Sequence, residues 1–256
     1  MVMLSTAFDV SQDQPSRMFL VMAGFVSEAK CWEDFDSAWR KRLAEDGLKY
    51  FHMQRFAQSS KPFNVGWKDD EKRRKALMGD LLDIISAHAF RKFACVVQTS
   101  EFETLSADSK GKMGSTPLAI AGTFMAGLVK RWQIVEKYKQ LPEFIFEDGD
   151  ADKGTLIDAI KSATGQVPIF RKKKDSPEKG IVAFTPLQAA DILAYETKRI
   201  ADKVGHLLPA DFRFRYPFQA LHRMPEEPTV FNRESASVTD NLIAIDRYFE
   251  EHPLRS

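Results

Sequence analysis

The chain has 256 residues, 44% of them hydrophobic, and sets 37 Lys+Arg against 36 Asp+Glu for a formal charge of +1. A chain of this length buries roughly three quarters of its unfolded surface without a covalent staple, and its 20 Phe, 4 Trp and 5 Tyr exclude disorder over most of its length. The charge balance excludes a protein held to nucleic acid or membrane by bulk electrostatics, but not one with a local charged site.

The segments Leu4–Val10 and Met18–Val26, separated by polar Ser11–Arg17, predict an antiparallel hairpin. Trp32, Phe35, Trp39 and Leu43 recur at helical spacing and predict an amphipathic helix stopped near Gly47. Tyr50-Phe51-His52-Met53 reads as a short, buried extended piece, and Ser59–Trp67 as a loop. Asp69 or Asp70 caps a helix running to about Ala89, with Leu77, Leu81, Ile84 and Ile85 facing inward, followed by a strand over Phe93–Gln98. The polar stretch Thr99–Gly114 reads as a surface excursion. Ser115-Thr116-Pro117 then opens a helix to about Tyr138, because Pro at the first helical position has no amide to waste.

A central strand is expected over Glu143–Glu147, a helix over Gly154–Ala163 ended by Gly165, and a strand over Val167–Phe170. That strand leads into the basic run Arg171-Lys172-Lys173-Lys174. Thr185-Pro186 opens a helix over Leu187–Val204 closed by Gly205, and one further amphipathic helix lies around Asp240–Glu250. Strands alternating with helices after a hairpin predict an α/β fold with a mixed sheet flanked by helices. With no repeat and no long linker, a single domain over residues 1–205 is expected, with a tail over 206–256 packed on it.

Cys31 and Cys95 make no disulfide framework, and no segment reads as a signal peptide. The longest apolar run, Pro117–Val129, falls short of the roughly 20 residues a membrane span requires. A cytoplasmic location without a membrane partner is expected, and oligomeric state is open.

Three acidic positions stand apart from the ordinary charged surface. Asp9 lies in or at the end of the first strand, Glu147 and Asp148 close a strand before Gly149, and Asp191 sits inside the apolar helix segment Leu187–Ala194. A buried, unpaired carboxylate costs several kcal/mol, so Asp191 needs a basic partner or a metal. Alanines beside it let the helix approach a sheet closely, and Gln188, Asp191 and Tyr195 share one strip. Glu147-Asp148 reads either as an acidic turn or as a ligand site, since ligands bind at the carboxyl ends of strands in open α/β sheets. Carboxylates meeting there suit a hard divalent cation, Mg²⁺ or Mn²⁺, which can activate water and clamp the oxygens of a phosphodiester.

Further candidates are weaker in kind. His52 follows an aromatic run and reads as a substrate contact or proton donor, or as a core histidine. Arg171, Lys172 and Lys173 could track a phosphate backbone, or form a solvated turn. Arg213, Arg215 and Arg223 interleave with Phe212, Phe214, Tyr216 and Phe218, a pattern that suits base stacking as well as packing. The segment Gly149–Thr155 has P-loop glycine spacing but no Lys after the second glycine, and its aspartates would repel phosphate. Serine-hydrolase, zincin and thiol-redox motifs are absent.

In order, Phe8-Asp9-Val10-Ser11, Met22-Ala23-Gly24-Phe25, a Trp-rich helix, Tyr50-Phe51-His52-Met53, Phe146-Glu147-Asp148-Gly149 and Leu187-Gln188-Ala189-Ala190-Asp191 resemble the DUF3800 family of the ribonuclease H-like superfamily. The resemblance covers roughly Ser5 to Asp202. The family's Asp-Glu-Ser-Gly opening is here Asp9-Val10-Ser11-Gln12, which keeps the first acid and loses the second acid and the glycine. The resemblance implies a ribonuclease H-like domain whose metal-binding, catalytic acids map to Asp9, to Glu147 or Asp148, and to Asp191. The usual fourth carboxylate has no selected match, with Glu33 and Asp34 both on the Trp-rich helix. His52 matches a His common in the family, and Gln188 lies in its more specific helix motif, so both join the substrate-contact candidates. The expected function is a metal-dependent nuclease acting on RNA, DNA or a hybrid. The alternative is a catalytically silent protein that binds nucleic acid or a protein partner.

Overall fold

A computed structural model describes residues 3–11, 18–149, 152–204, 215–222 and 224. One five-stranded sheet is built from β1 (Leu4–Ser11), β2 (Phe19–Glu28), β3 (Arg91–Gln98), β4 (Ile145–Glu147) and β5 (Ile169–Arg171). The order across it is β3-β2-β1-β4-β5. β2 pairs antiparallel with both β1 and β3, whereas β1/β4 and β4/β5 are parallel, so β2 alone runs against the others. This is the mixed α/β sheet expected from the sequence, with its N-terminal hairpin and flanking helices.

Period-two alternation decides which side chains face which layer. On β2, Phe19, Val21, Ala23 and Phe25 enter one core, while Leu20, Met22 and Val26 enter the other. The first core is closed by α1 (Ala29–Glu45), α2 (Met53–Ala57), α3 (Glu71–His88) and α8 (Pro186–Val204). The second is closed by α6 (Pro117–Val135) and α7 (Lys153–Thr164). The strands joining these layers are buried on both faces, which is why β2 and β3 read as near-continuous apolar runs. Gly24 is required on β2, because a Cβ there would come within 1.8 Å of the Ala7 carbonyl oxygen on β1.

The helix ends follow their local chemistry. The Asp70 side chain accepts from the Arg73 amide and caps α3, and Thr116 accepts from the Ala119 amide ahead of Pro117 in α6. Gly165, at φ 76°, closes α7. Several expectations need correction. The excursion at 99–114 folds into two short helices, α4 (Thr99–Thr104) and α5 (Ala107–Met113), and the Tyr50–Met53 piece runs straight into α2. β4 is three residues long and interior, but the middle strand of the sheet is β1. α6 ends at Val135 rather than Tyr138, since Lys137 turns into the left-handed region at φ 60°.

A short helix α9 (Tyr216–His222), not foreseen in the sequence, packs on α3 and α8, with Leu221 and Met224 reaching the first core. Gly205 and the helix expected around Asp240–Glu250 lie outside the described residues, as do Arg213, Arg223, Phe212 and Phe214. Among the described residues no helix is long and apolar enough to cross a membrane.

Candidate active site

Strand alternation determines which acids can meet. On β1 Phe8 enters the second core, so Asp9 faces the opposite layer, where α8 lies across β1 and β2. Phe8 is in register with Phe146 on the parallel neighbour β4, and Phe144 and Phe146 also enter the second core. Glu147 therefore emerges beside Asp9 on the α8 side. Ala189, Ala190 and Ala194 are fully buried and let α8 sit close to the sheet, which delivers Asp191 to the same place.

The three carboxylates surround one ammonium. Lys173 Nζ lies 2.7 Å from Glu147 Oε2, 3.2 Å from Asp191 Oδ1 and 3.4 Å from Asp9 Oδ2. Lys173 follows β5 by two residues, so the cluster stands at the carboxyl ends of the parallel strands β1, β4 and β5. Asp9 is only 3% exposed and the Lys173 side chain 13%. Burial pushes the Asp9 carboxyl well above the ordinary carboxylate range; Lys173 works against that rise, while Asp191 and Glu147 add to it. Burial also works against the Lys173 charge, but Asp9, Asp191 and Glu147 more than offset it and hold the ammonium charged. Three carboxyl groups thus face a single ammonium.

Asp191 is further held by the Met53 amide, which donates to Oδ2 at 2.5 Å. That contact brings His52 alongside, with Nδ1 3.5 Å from Asp191 Oδ2 and without a hydrogen-bond partner among the described residues. Burial draws the His52 pKa below its ordinary value, and the Asp191 charge opposes this only in part.

The loop carrying Lys173 is tied down from two sides. Arg40 on α1 holds Asp175 at 2.7 Å, and Asp175 in turn accepts from the Ala183 amide. Gln188 Nε2 donates to the Lys173 carbonyl at 2.7 Å, while Gln188 Oε1 accepts from Trp39 Nε1 and the Phe51 amide at 2.9 and 2.7 Å. Gln188 is therefore corrected from a substrate contact to a buried clamp. It is 1% exposed, and both ends of its amide are engaged within the fold.

Asp148 also departs from the expected set. Its carboxylate is held by Lys153 at 2.8 Å and Lys172 at 3.2 Å, outside the cluster, and these partners draw its pKa below the ordinary value. The basic run is split rather than continuous. Lys172 serves Asp148, Lys173 turns inward, Lys174 lies over the Tyr50 ring, and Arg171 is exposed. Glu33 and Asp34 are exposed and pair with Lys30, away from the cluster. Arg215, from the basic and aromatic tail pattern, lies 3.5 Å from the buried Glu196.

The cluster opens into a cleft of about 620 Å³ lined by Asp9, His52, Lys173 and Asp191 and, further along α8, by Lys198, Arg199 and Lys203. Lys198 is paired with Asp202 at 2.6 Å. The sequence reading passed over this basic stretch, although Lys198 and Asp202 stand seven and eleven positions after Asp191 and continue its strip along α8.

Among the described residues no group of three or more His, Cys, Asp or Glu stands ready to hold a metal ion. The donor set nevertheless suits a hard cation in kind, being carboxylate oxygens from three rigid elements that point at one positive centre. What differs is distance. The oxygens stand at ammonium range from Lys173, whereas Mg²⁺ takes oxygens at about 2.0–2.1 Å.

No protein-family model matches the chain, and no curated protein matches it. Solved structures do. A chain of the PCNA:RNase HII complex from Archaeoglobus fulgidus matches at 14% identity and TM-score 0.40, over 86% of this chain and 87% of that one. Ribonuclease H2 from Pyrococcus horikoshii OT3 matches at 13% identity and TM-score 0.33, over 98% of this chain and 100% of that one.

Proposed function

We propose that the chain is a metal-dependent nuclease, as its resemblance to the DUF3800 family implies, with Asp9, Glu147 and Asp191 as the residues that hold Mg²⁺ or Mn²⁺. The observation that carries this reading is the convergence of those three carboxylates, from β1, β4 and α8, on one cationic point at the mouth of a cleft. A divalent cation bound there supplies Lewis-acid activation of water and charge stabilisation for phosphodiester hydrolysis. Asp191 is oriented for its part by the Met53 amide. His52, whose pKa burial lowers and which stands beside Asp191, is positioned to pass a proton to or from the reacting group. Arg199 and Lys203 along the cleft give a phosphate backbone local positive charge, which a net charge of +1 conceals.

The test is cleavage of single- and double-stranded RNA, DNA and RNA–DNA hybrid with Mg²⁺ or Mn²⁺. Activity that disappears in Asp9→Asn and Asp191→Asn supports the reading, and activity that survives both overturns it. A second reading, a silent binding protein of the same fold, is favoured by one observation: Lys173 stands where the cation would. Tight nucleic-acid binding with no cleavage under either metal would select it.

A further inference from the structure

Three carboxylates suffice for a cation site, and Lys173 is the feature they do not require. Its Nζ is within 3.4 Å of an oxygen from each of Asp9, Glu147 and Asp191. A divalent ion drawing the same oxygens to about 2.0–2.1 Å would occupy the position of that ammonium. Two cations cannot share the point, both for lack of room and because like charges a few ångströms apart in a buried setting repel strongly. The stem and the backbone of Lys173 are held differently. Gln188 Nε2 grips its carbonyl, and the Phe184 amide grips the carbonyl of Lys172 at 2.9 Å, so the loop is fixed. The four-carbon stem carries a compact, readily hydrated charge, and the open cleft that Lys173 lines gives that charge a path to water.

We propose that Lys173 is a tethered counter-ion that competes with the divalent cation for the Asp9–Glu147–Asp191 site, so that cation binding and withdrawal of its ammonium are one exchange. The proposal rests on the reading that these carboxylates hold a divalent cation. Without metal, the ammonium keeps three crowded acids together. When the cation enters, Lys173 swings into the cleft and places its charge beside the path of the substrate phosphates. Half-occupancy then needs a higher metal concentration than the carboxylates alone would require, because the ion must displace a resident cation.

The experiment measures Mn²⁺ affinity by titration calorimetry and electron paramagnetic resonance on the full chain, with circular dichroism as the check on folding. Lys173→Met, which keeps the stem and removes the charge, is expected to bind Mn²⁺ at least tenfold more tightly than the wild type. Lys173→Arg, which keeps a charge, is expected to stay weak. In the wild type, acetylation of Lys173 by an amine-reactive ester, read by mass spectrometry, should increase when Mn²⁺ is added. Equal or weaker binding by Lys173→Met, with Asp191→Asn abolishing the signal, would overturn the exchange while leaving the cation site standing. Folded wild-type and Lys173→Met proteins that both fail to bind Mn²⁺ would overturn the site and the exchange together. Unchanged or reduced acetylation of Lys173 with Mn²⁺ bound would overturn the exchange even if Lys173→Met misfolds.

Discussion

Glu147 and Asp148 are consecutive, yet Glu147 Oε2 lies 2.7 Å from Lys173 Nζ while Asp148 Oδ1 is held 2.8 Å from Lys153 Nζ. Strand alternation separates them, since Glu147 follows Phe146 onto the α8 side and Asp148 begins the turn beyond. Glu147→Gln should therefore lower Mn²⁺-dependent cleavage by roughly 100-fold or more, the scale on which one preorganised charge in a reacting centre matters. Asp148→Asn should stay within a few-fold of the wild type. Parallel cleavage and Mn²⁺-binding assays on the two variants check this, and an equal loss in both would refute the assignment.

The basic residues on α8 make a separate prediction about affinity. Arg199→Ala and Lys203→Ala should weaken nucleic-acid binding about evenly across sequences and each reduce the salt slope by about 1. Fluorescence anisotropy over a salt series measures both quantities. Unchanged slopes would remove this stretch of the cleft from the substrate path.

Asp9 carries a pH dependence whose sign follows from its raised pKa. Burial makes the folded chain keep this proton where the unfolded chain, near the ordinary value of 3.8, has lost it. The native state then binds more protons than the unfolded state, so the Asp9 contribution to stability is present at low pH and is lost as pH rises through its raised value. Asp9→Asn should flatten that part of the profile and melt higher than the wild type near neutral pH. About 1 kcal/mol moves the melting temperature of a chain of this size by about 2–4 °C. Melting curves of both proteins between about pH 4 and 8 give the comparison. His52 works in the opposite sense. Its lowered pKa contributes stability above the ordinary value of 6.5 that is lost as pH falls, so a separate His52→Ala profile keeps the two apart.

Gln188 joins α8 to α1 through Trp39, to the His52 segment through Phe51, and to the loop after β5 through Lys173. Gln188→Leu would leave the Trp39 indole N–H and the Phe51 amide buried without an acceptor, a loss of about 3 kcal/mol or more. Denaturant unfolding should register it as a lower midpoint. Because the same change frees the Lys173 carbonyl, Mn²⁺ affinity should shift as well, which loss of packing elsewhere in α8 would not produce.

The architecture was legible because its signals are local. Trp32, Phe35, Trp39 and Leu43 mark α1 by spacing, Asp70 and Thr116 mark helix starts by side-chain chemistry, and the apolar strands are bounded by turn residues. Asp9 and Asp191 stood out for a related reason, as carboxylates placed inside apolar runs where an unpaired charge is costly. The short helices at 99–113 and α2 escape a reading of the sequence because five to seven residues are too few to show a period.

Roles at the site were a different matter, because each depends on which face an element turns inward and on what arrives there from a distant part of the chain. Glu147 and Asp148 are equivalent in a string of letters and are separated only when Phe146 is seated against Phe8. Gln188 looks like one more polar group beside Asp191 until Trp39, Phe51 and the Lys173 carbonyl close around it. Lys173 looks like the third of four interchangeable basic residues until its loop is pinned by Arg40 and Gln188 and its ammonium falls among three acids. Local spacing and composition are enough to specify strands, helices and the acids that burial makes expensive. Partnership between charges is a long-range property, set by sheet order and helix approach, and it is what turned a basic run into the centre of the site.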